Sequence, residues 1–203
     1  MSEKPILFSG AMVRAILDGK KRMTRRIVKN VPQGADLFPM KEVVTGELWA
    51  KSYGIQVEHK SIRCPFSVGQ ILWVREAFCF GDKELCDCLP LACRHRPEVH
   101  YRADWAGIDD DVRRKPSIHM PRWASRLTLR VTEARVERLQ DISEEDAIAE
   151  GVGEPKAYPY WPEQKNRIAF QELWDSINAK RGFSWASNPW VWVIGFERVE
   201  SRP

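Results

Sequence analysis

Within Ile16–Val28, ILDGKKRMTRRIV, a single threonine, Thr24, stands among five cations: Lys20, Lys21, Arg22, Arg25 and Arg26. Positive charge at that density draws an anionic or carbonyl-bearing ligand toward a hydroxyl. The spacing leaves a plainer reading open, in which Thr24 fills a strand position and the cations are solvated. Ser9 is placed to cap a helix with apolar positions Met12, Val13, Ile16 and Leu17, and Gly19 is placed to end it. Lys20 and Lys21 then complement the negative end of the helix dipole. Arg25 and Arg26 lie beyond that explanation, in an extended stretch from Met23 to Val28.

Charge is segregated along the chain. Arg14–Lys29 holds seven cations against Asp18 alone, a local net of +6, and Arg113–Arg138 holds eight against Glu133 and Glu137, again +6. The whole chain is only +4, so the remainder is acidic. Two basic blocks far apart in sequence would make one positive face for a phosphate-bearing partner if the fold brings them together. Trp73, Arg75 and Glu76 in QILWVREAF, and His119 and Arg122 in the proline-bounded PSIHMPRWASR, are further candidates to line a cleft. Trp73 is expected chiefly to pack in a core, because a chain with nine tryptophans must bury most of them. Glu76 is expected to help hold the basic corner.

Cys79, Cys86, Cys88, Cys93 and His95 raise the question of zinc. The C-x-C-x4-C-x-H spacing is not that of a standard zinc finger, so free thiols are the expectation, with no cofactor and no catalytic metal. An odd cysteine count, and an N-terminal MSEKPILFSG without a long apolar core, point to a reduced, cytoplasmic protein. No apolar run reaches the roughly 20 residues of a membrane helix.

The elements that must position these residues are legible in part. Strands are predicted at Glu47–Ser52, Gln56–Arg63 and Gln70–Arg75, and at Arg126–Thr132, where Leu127, Leu129 and Val131 alternate with Arg126, Thr128 and Arg130. Ser143 and Asp146 have capping spacing, which predicts a short acidic helix over Ser143–Glu150. A longer helix is predicted over Gln164–Ala179, with Phe170, Trp174 and Ile177 on one face. The apolar run in NPWVWVIGFERV suits a buried terminal strand. Residues 80–115 read as an insertion in a single α+β domain spanning 1–203.

Four segments, ILDGKKRMTRR, VGQILWVRE, KPSIHMPRWASRLTLRVTEARVERLQDISEEDAIAEGV and NPWVWVIGFE, resemble in this order the ASCH-domain proteins of the PUA-like superfamily, of the kind common in prophages. The resemblance implies a small, curved mixed β-barrel with flanking helices around a basic cleft that takes a modified nucleoside or nucleic acid. One branch of that superfamily hydrolyses N4-acetylcytidine and carries a G-x-K-x-x-T motif, matched here by Gly19, Lys21 and Thr24. Its catalytic glutamate is matched by Glu150.

Those types suit amide hydrolysis, which needs a nucleophile, a base and an acid for the leaving nitrogen. Crowding by like charges would lower the pKa of Lys21, letting it take a proton from Thr24 or from a water that Thr24 positions. Arg26 would steady the oxyanion, while Glu150 would protonate the leaving amine or orient the cytosine-like edge. A different reading makes the chain a non-catalytic RNA- or DNA-binding module, or a ribonuclease, gripping phosphates through its basic blocks. Oligomeric state is not legible in the sequence.

Overall fold

The computed structural model of the chain describes residues 3–31, 35–37, 47–52, 59–80, 98–104, 115–153 and 162–199. Its first helix forms where the sequence places it. The Ser9 hydroxyl accepts from the Met12 N–H at 3.4 Å, α1 runs Gly10–Leu17 with Val13 and Ile16 buried, and Gly19 at φ 72° turns the chain away. The strand β1, Lys4–Leu7, precedes it and β2, Met23–Ile27, follows it.

The later strands are β3 (Ala35–Leu37), β4 (Glu47–Ser52), β5 (His59–Arg63), β6 (Ile71–Arg75), β7 (Phe78–Phe80), β8 (Val99–Tyr101), β9 (Thr128–Arg138) and β10 (Trp190–Val199). Between β9 and β10 lie α2 (Glu144–Ala149) and α3 (Lys165–Asn178). The main sheet has five strands in the order β1-β6-β9-β10-β2, with β1 and β6 parallel and the other neighbours antiparallel. Strands β3, β4 and β5 form a small antiparallel sheet, and β7 pairs with β8. The fold is α+β, as expected.

Among the described residues the sheet is open and is not closed into the barrel that the resemblance implies. Its two edges still approach each other: Arg26 on β2 donates from Nη2 to the Leu7 carbonyl at the end of β1, at 2.8 Å. A side chain makes the bridge that a backbone ladder would make in a barrel.

Strand β10 explains its own continuous apolar run, because both faces of the sheet are covered. Trp192, Ile194 and Phe196 join Ile6, Phe8, Val13, Leu72, Val74 and Leu129 in one core. Val191 and Val193 face the other way and pack with Phe170, Trp174 and Ala147 beneath α2 and α3. Strand β9 runs past Thr132, where the sequence pattern ended, to Arg138. Its register against β10 shifts at Gly195/Phe196, so the inward set passes from Leu129 and Val131 to Ala134 and Val136. A bulge changes the phase of alternation by one residue, and a strict two-residue period ends there.

The insertion read over 80–115 is flanked by paired backbone rather than loop at both ends, since β7 and β8 are strands and Phe78 bridges Lys115. Cys86, Cys88, Cys93 and His95 lie outside the described residues, and Cys79 is buried. No helix among the described residues is long and apolar enough to cross a membrane.

Candidate functional site

The corner after α1 is built by two helix ends. The Lys20 and Lys21 N–H groups both donate to the Ala15 carbonyl, at 2.9 Å each, closing α1. The Arg22 N–H donates to the Ala149 carbonyl at 2.8 Å, which docks the same segment on the last turn of α2. The Ser143 hydroxyl caps the start of α2, and at its far end Glu150 is the C-cap, before Gly151 turns the chain at φ 72°.

Lys21 is thereby driven inward. Its Nζ donates to the Glu150 carboxylate Oε2 at 2.8 Å and to the Glu150 backbone carbonyl at 2.6 Å. The carbonyl is one that a helix end leaves without an internal donor, so the ammonium serves both as counterion and as cap. Only 2% of Lys21 and 4% of Glu150 is exposed, a burial that both groups tolerate because they are paired. Desolvation holds the lysine below its ordinary pKa, against the pull of Glu150, and the like charges Arg26 and Arg25 add smaller pushes. The direction matches the expectation, but its principal cause is burial rather than crowding. Lys20 and Arg22 are exposed.

Arg25 is not available as a loose phosphate contact. Its Nη1 donates to Glu150 Oε1 at 3.3 Å, its Nη2 to Asp146 Oδ2 at 2.7 Å, and its Nε to Glu137 Oε1 at 3.1 Å. Arg135 closes the ring by donating to Glu137 and Asp146 in turn. The guanidinium of Arg25 also lies 5.7 Å over the Phe170 ring. Charge-assisted bonds shared around a ring fix both oxygens of Glu150 between Lys21 and Arg25. Sequence reasoning missed Glu137, Asp146 and Arg135 as parts of this corner. The sequence reads Asp146 only as part of the cap of α2, and Arg135 and Glu137 lie on the stretch of β9 past Thr132, where the predicted strand ends.

Thr24, Arg25, Arg26 and Glu150 line a pocket of about 270 Å³, walled by Phe170 and Trp174 of α3. Among the described residues the Thr24 hydroxyl has no hydrogen-bond partner, although the residue is only 4% exposed. Arg26 is held by Leu7 and by the Phe8 ring 5.3 Å away, while its Nε is buried with no hydrogen-bond partner. That orphan donor is costly unless something in the pocket accepts from it. Lys21 lies behind Glu150, away from the pocket wall. Ile177, on the same predicted face of α3 as Phe170 and Trp174, is 44% exposed and also lines the pocket.

The remaining candidates gather elsewhere. Trp73 is 7% exposed, with Arg75 stacked at 4.6 Å and Arg122 at 5.9 Å from its ring. Arg75 donates to the Ile118 carbonyl, and exposed Arg122 pairs with Glu3. His119 is exposed on a short 3-10 turn, Ser117–His119. Glu76 does not hold the basic corner. It is 1% exposed and takes a two-pronged contact from Arg126, Nε to Oε1 at 2.9 Å and Nη2 to Oε2 at 3.0 Å. Arg130 pairs with Glu197 and Arg135 with Glu133, so much of the second basic block is neutralised where it sits.

The chain matches no protein-family model and no curated protein. Among solved structures it is similar to one described as the high resolution crystal structure of an ASCH domain from Lactobacillus crispatus JV V101, at 13% identity. The match covers 97% of this chain and 79% of that one, with a TM-score of 0.42.

Proposed function

We propose that the Thr24–Glu150 pocket hydrolyses an N-acylated, cytidine-type nucleoside. The buried Lys21–Glu150 contact carries this reading: two titratable groups 2.8 Å apart, with the lysine pKa lowered by burial, are poised to pass a proton between them. The G-x-K-x-x-T motif at Gly19, Lys21 and Thr24 agrees with it.

The Thr24 oxygen, or a water that it positions, attacks the acyl carbonyl, and its proton passes to the Lys21–Glu150 pair. Glu150 reaches the pocket and Lys21, behind it, stores the proton. Charge gathers on the carbonyl oxygen, where the unpartnered Arg26 Nε–H is the donor at hand. As the carbon–nitrogen bond breaks, Glu150 returns the proton to the exocyclic amine. If Thr24 has been acylated, a water attacks the ester in the same way and frees the carboxylic acid.

The test is release of acetate and cytidine from N4-acetylcytidine by the purified protein, beside Thr24→Ala, Lys21→Met and Glu150→Gln. Turnover lost by about a hundredfold or more in variants with native circular dichroism supports the roles given. A folded wild type without turnover overturns the reaction. Steeply salt-sensitive oligonucleotide binding without turnover would make the corner a recognition site.

A further inference from the structure

The catalytic pocket does not end at Lys29. A larger cavity of about 700 Å³ adjoins it, and Ile27, Lys29 and Arg181 line both, so the two are halves of one groove. The groove follows β2, an edge strand of the sheet. Hydrogen bonds from Phe196 N to the Arg22 carbonyl and from Val28 N to the Trp190 carbonyl set the phase of the β2–β10 ladder. In that phase Thr24 and Arg26 turn their backbone groups to β10, while Arg25 and Ile27 turn theirs to the open edge.

The halves differ in charge. In the first, Glu150 lines the wall and Arg25 is matched by carboxylates. In the second, the charged lining among the described residues is Lys29, Arg138 and Arg181, with no acidic side chain among them. Lys29 and Arg181 are exposed and form no ion pair among the described residues. The Arg138 guanidinium lies 4.3 Å over the Trp190 ring, whose indole Nε1 is buried without a hydrogen-bond partner. Arg138 also donates to the Asn188 carbonyl, so the cations of this wall open to a ligand are Lys29 and Arg181; such charges on a concave surface concentrate anions, and a guanidinium matches the geometry of phosphate oxygens.

We propose that this second cavity is the subsite for a phosphate carried on the substrate's ribose, which makes the substrate an acylated nucleotide rather than a bare nucleoside. The inference rests on the first pocket being the nucleoside site. The open backbone edge of Arg25 and Ile27 lies along the path between the two, where ribose hydroxyls need polar partners.

Binding of cytidine, cytidine 5′-monophosphate and cytidine 3′-monophosphate, measured by titration calorimetry, tests it on the wild type and on Arg181→Gln and Lys29→Gln. At least one monophosphate is expected to bind about tenfold or more tighter than cytidine, with the advantage shrinking as salt rises and falling toward parity in the variants. The favoured isomer reveals which ribose oxygen bears the phosphate. Parity in the wild type, no binding of either monophosphate, or an advantage undiminished in both folded variants overturns the subsite. The readout needs no turnover: a phosphate advantage without hydrolysis of N4-acetylcytidine overturns the reaction alone, and hydrolysis with parity overturns the subsite alone.

Discussion

A Cβ placed on Gly151 would stand 2.6 Å from the Cβ of Lys21 and 3.0 Å from that of Ala15. The end of α2 therefore closes on the end of α1 so tightly that only a glycine fits between them, and this contact sets the depth at which Lys21 meets Glu150. Gly151→Ala must meet both a left-handed backbone, φ 72°, and that collision. We expect it to cost about 2–4 kcal/mol, whereas Gly19→Ala, at the same φ with nothing within 4 Å, should cost only about 1 kcal/mol. Equal shifts in thermal unfolding for the two variants would show that the close approach contributes nothing.

Lys21 and Glu150 should be far more costly to separate than to remove together. Lys21→Met takes away the nearest counterion of the Glu150 carboxylate, and Glu150→Gln leaves a buried ammonium, so each single change should cost about 3–5 kcal/mol in urea unfolding. The double variant Lys21→Met/Glu150→Gln should recover part of that loss, because Arg25 keeps Glu137 and Asp146. Strict additivity would mean that the pair is not coupled.

The proposed reaction has a pH signature. Burial holds Lys21 below the ordinary lysine value of 10.5, and the pair can accept a proton only where the lysine is neutral. On N4-acetylcytidine, kcat/KM should therefore rise with pH and level off below pH 10.5. A rate still climbing past that pH would mean that an ordinary, exposed amine is titrating.

Glu76 makes an independent prediction at the opposite end of the pH range. Burial pushes its carboxyl above 4.5, against the pull of Arg126. The folded protein then holds the proton more tightly than the unfolded chain, so this group favours folding below pH 4.5 and loses that contribution as pH rises through its folded value. The stability of wild type relative to Glu76→Gln, followed by denaturant titration, should decline across that window. A difference that grows with pH would reverse the sign and place Arg126 as the dominant influence.

Short-range patterning determined much of this protein. The Ser9 and Ser143 caps, the stop at Gly19, the strand Glu47–Ser52 and the apolar terminal strand can each be read from a few neighbouring residues, because capping, turning and alternation are local physics. Thr24 and Glu150 could be singled out in the sequence, and the structure sets both on one pocket. What tertiary structure alone decided is where charge ends up. Lys21 and Glu150 are 129 residues apart and Arg25 and Glu137 are 112 apart, separations at which a sequence pattern carries no pairing information. Summed charge suggested a positive face; ion pairing across the sheet consumed much of it and buried one lysine. Burial and pairing depend on which strands become neighbours, and the bulge opposite Gly195, the open sheet edge and the bridge from Arg26 to Leu7 arise only once β2 and β9 have packed against β10.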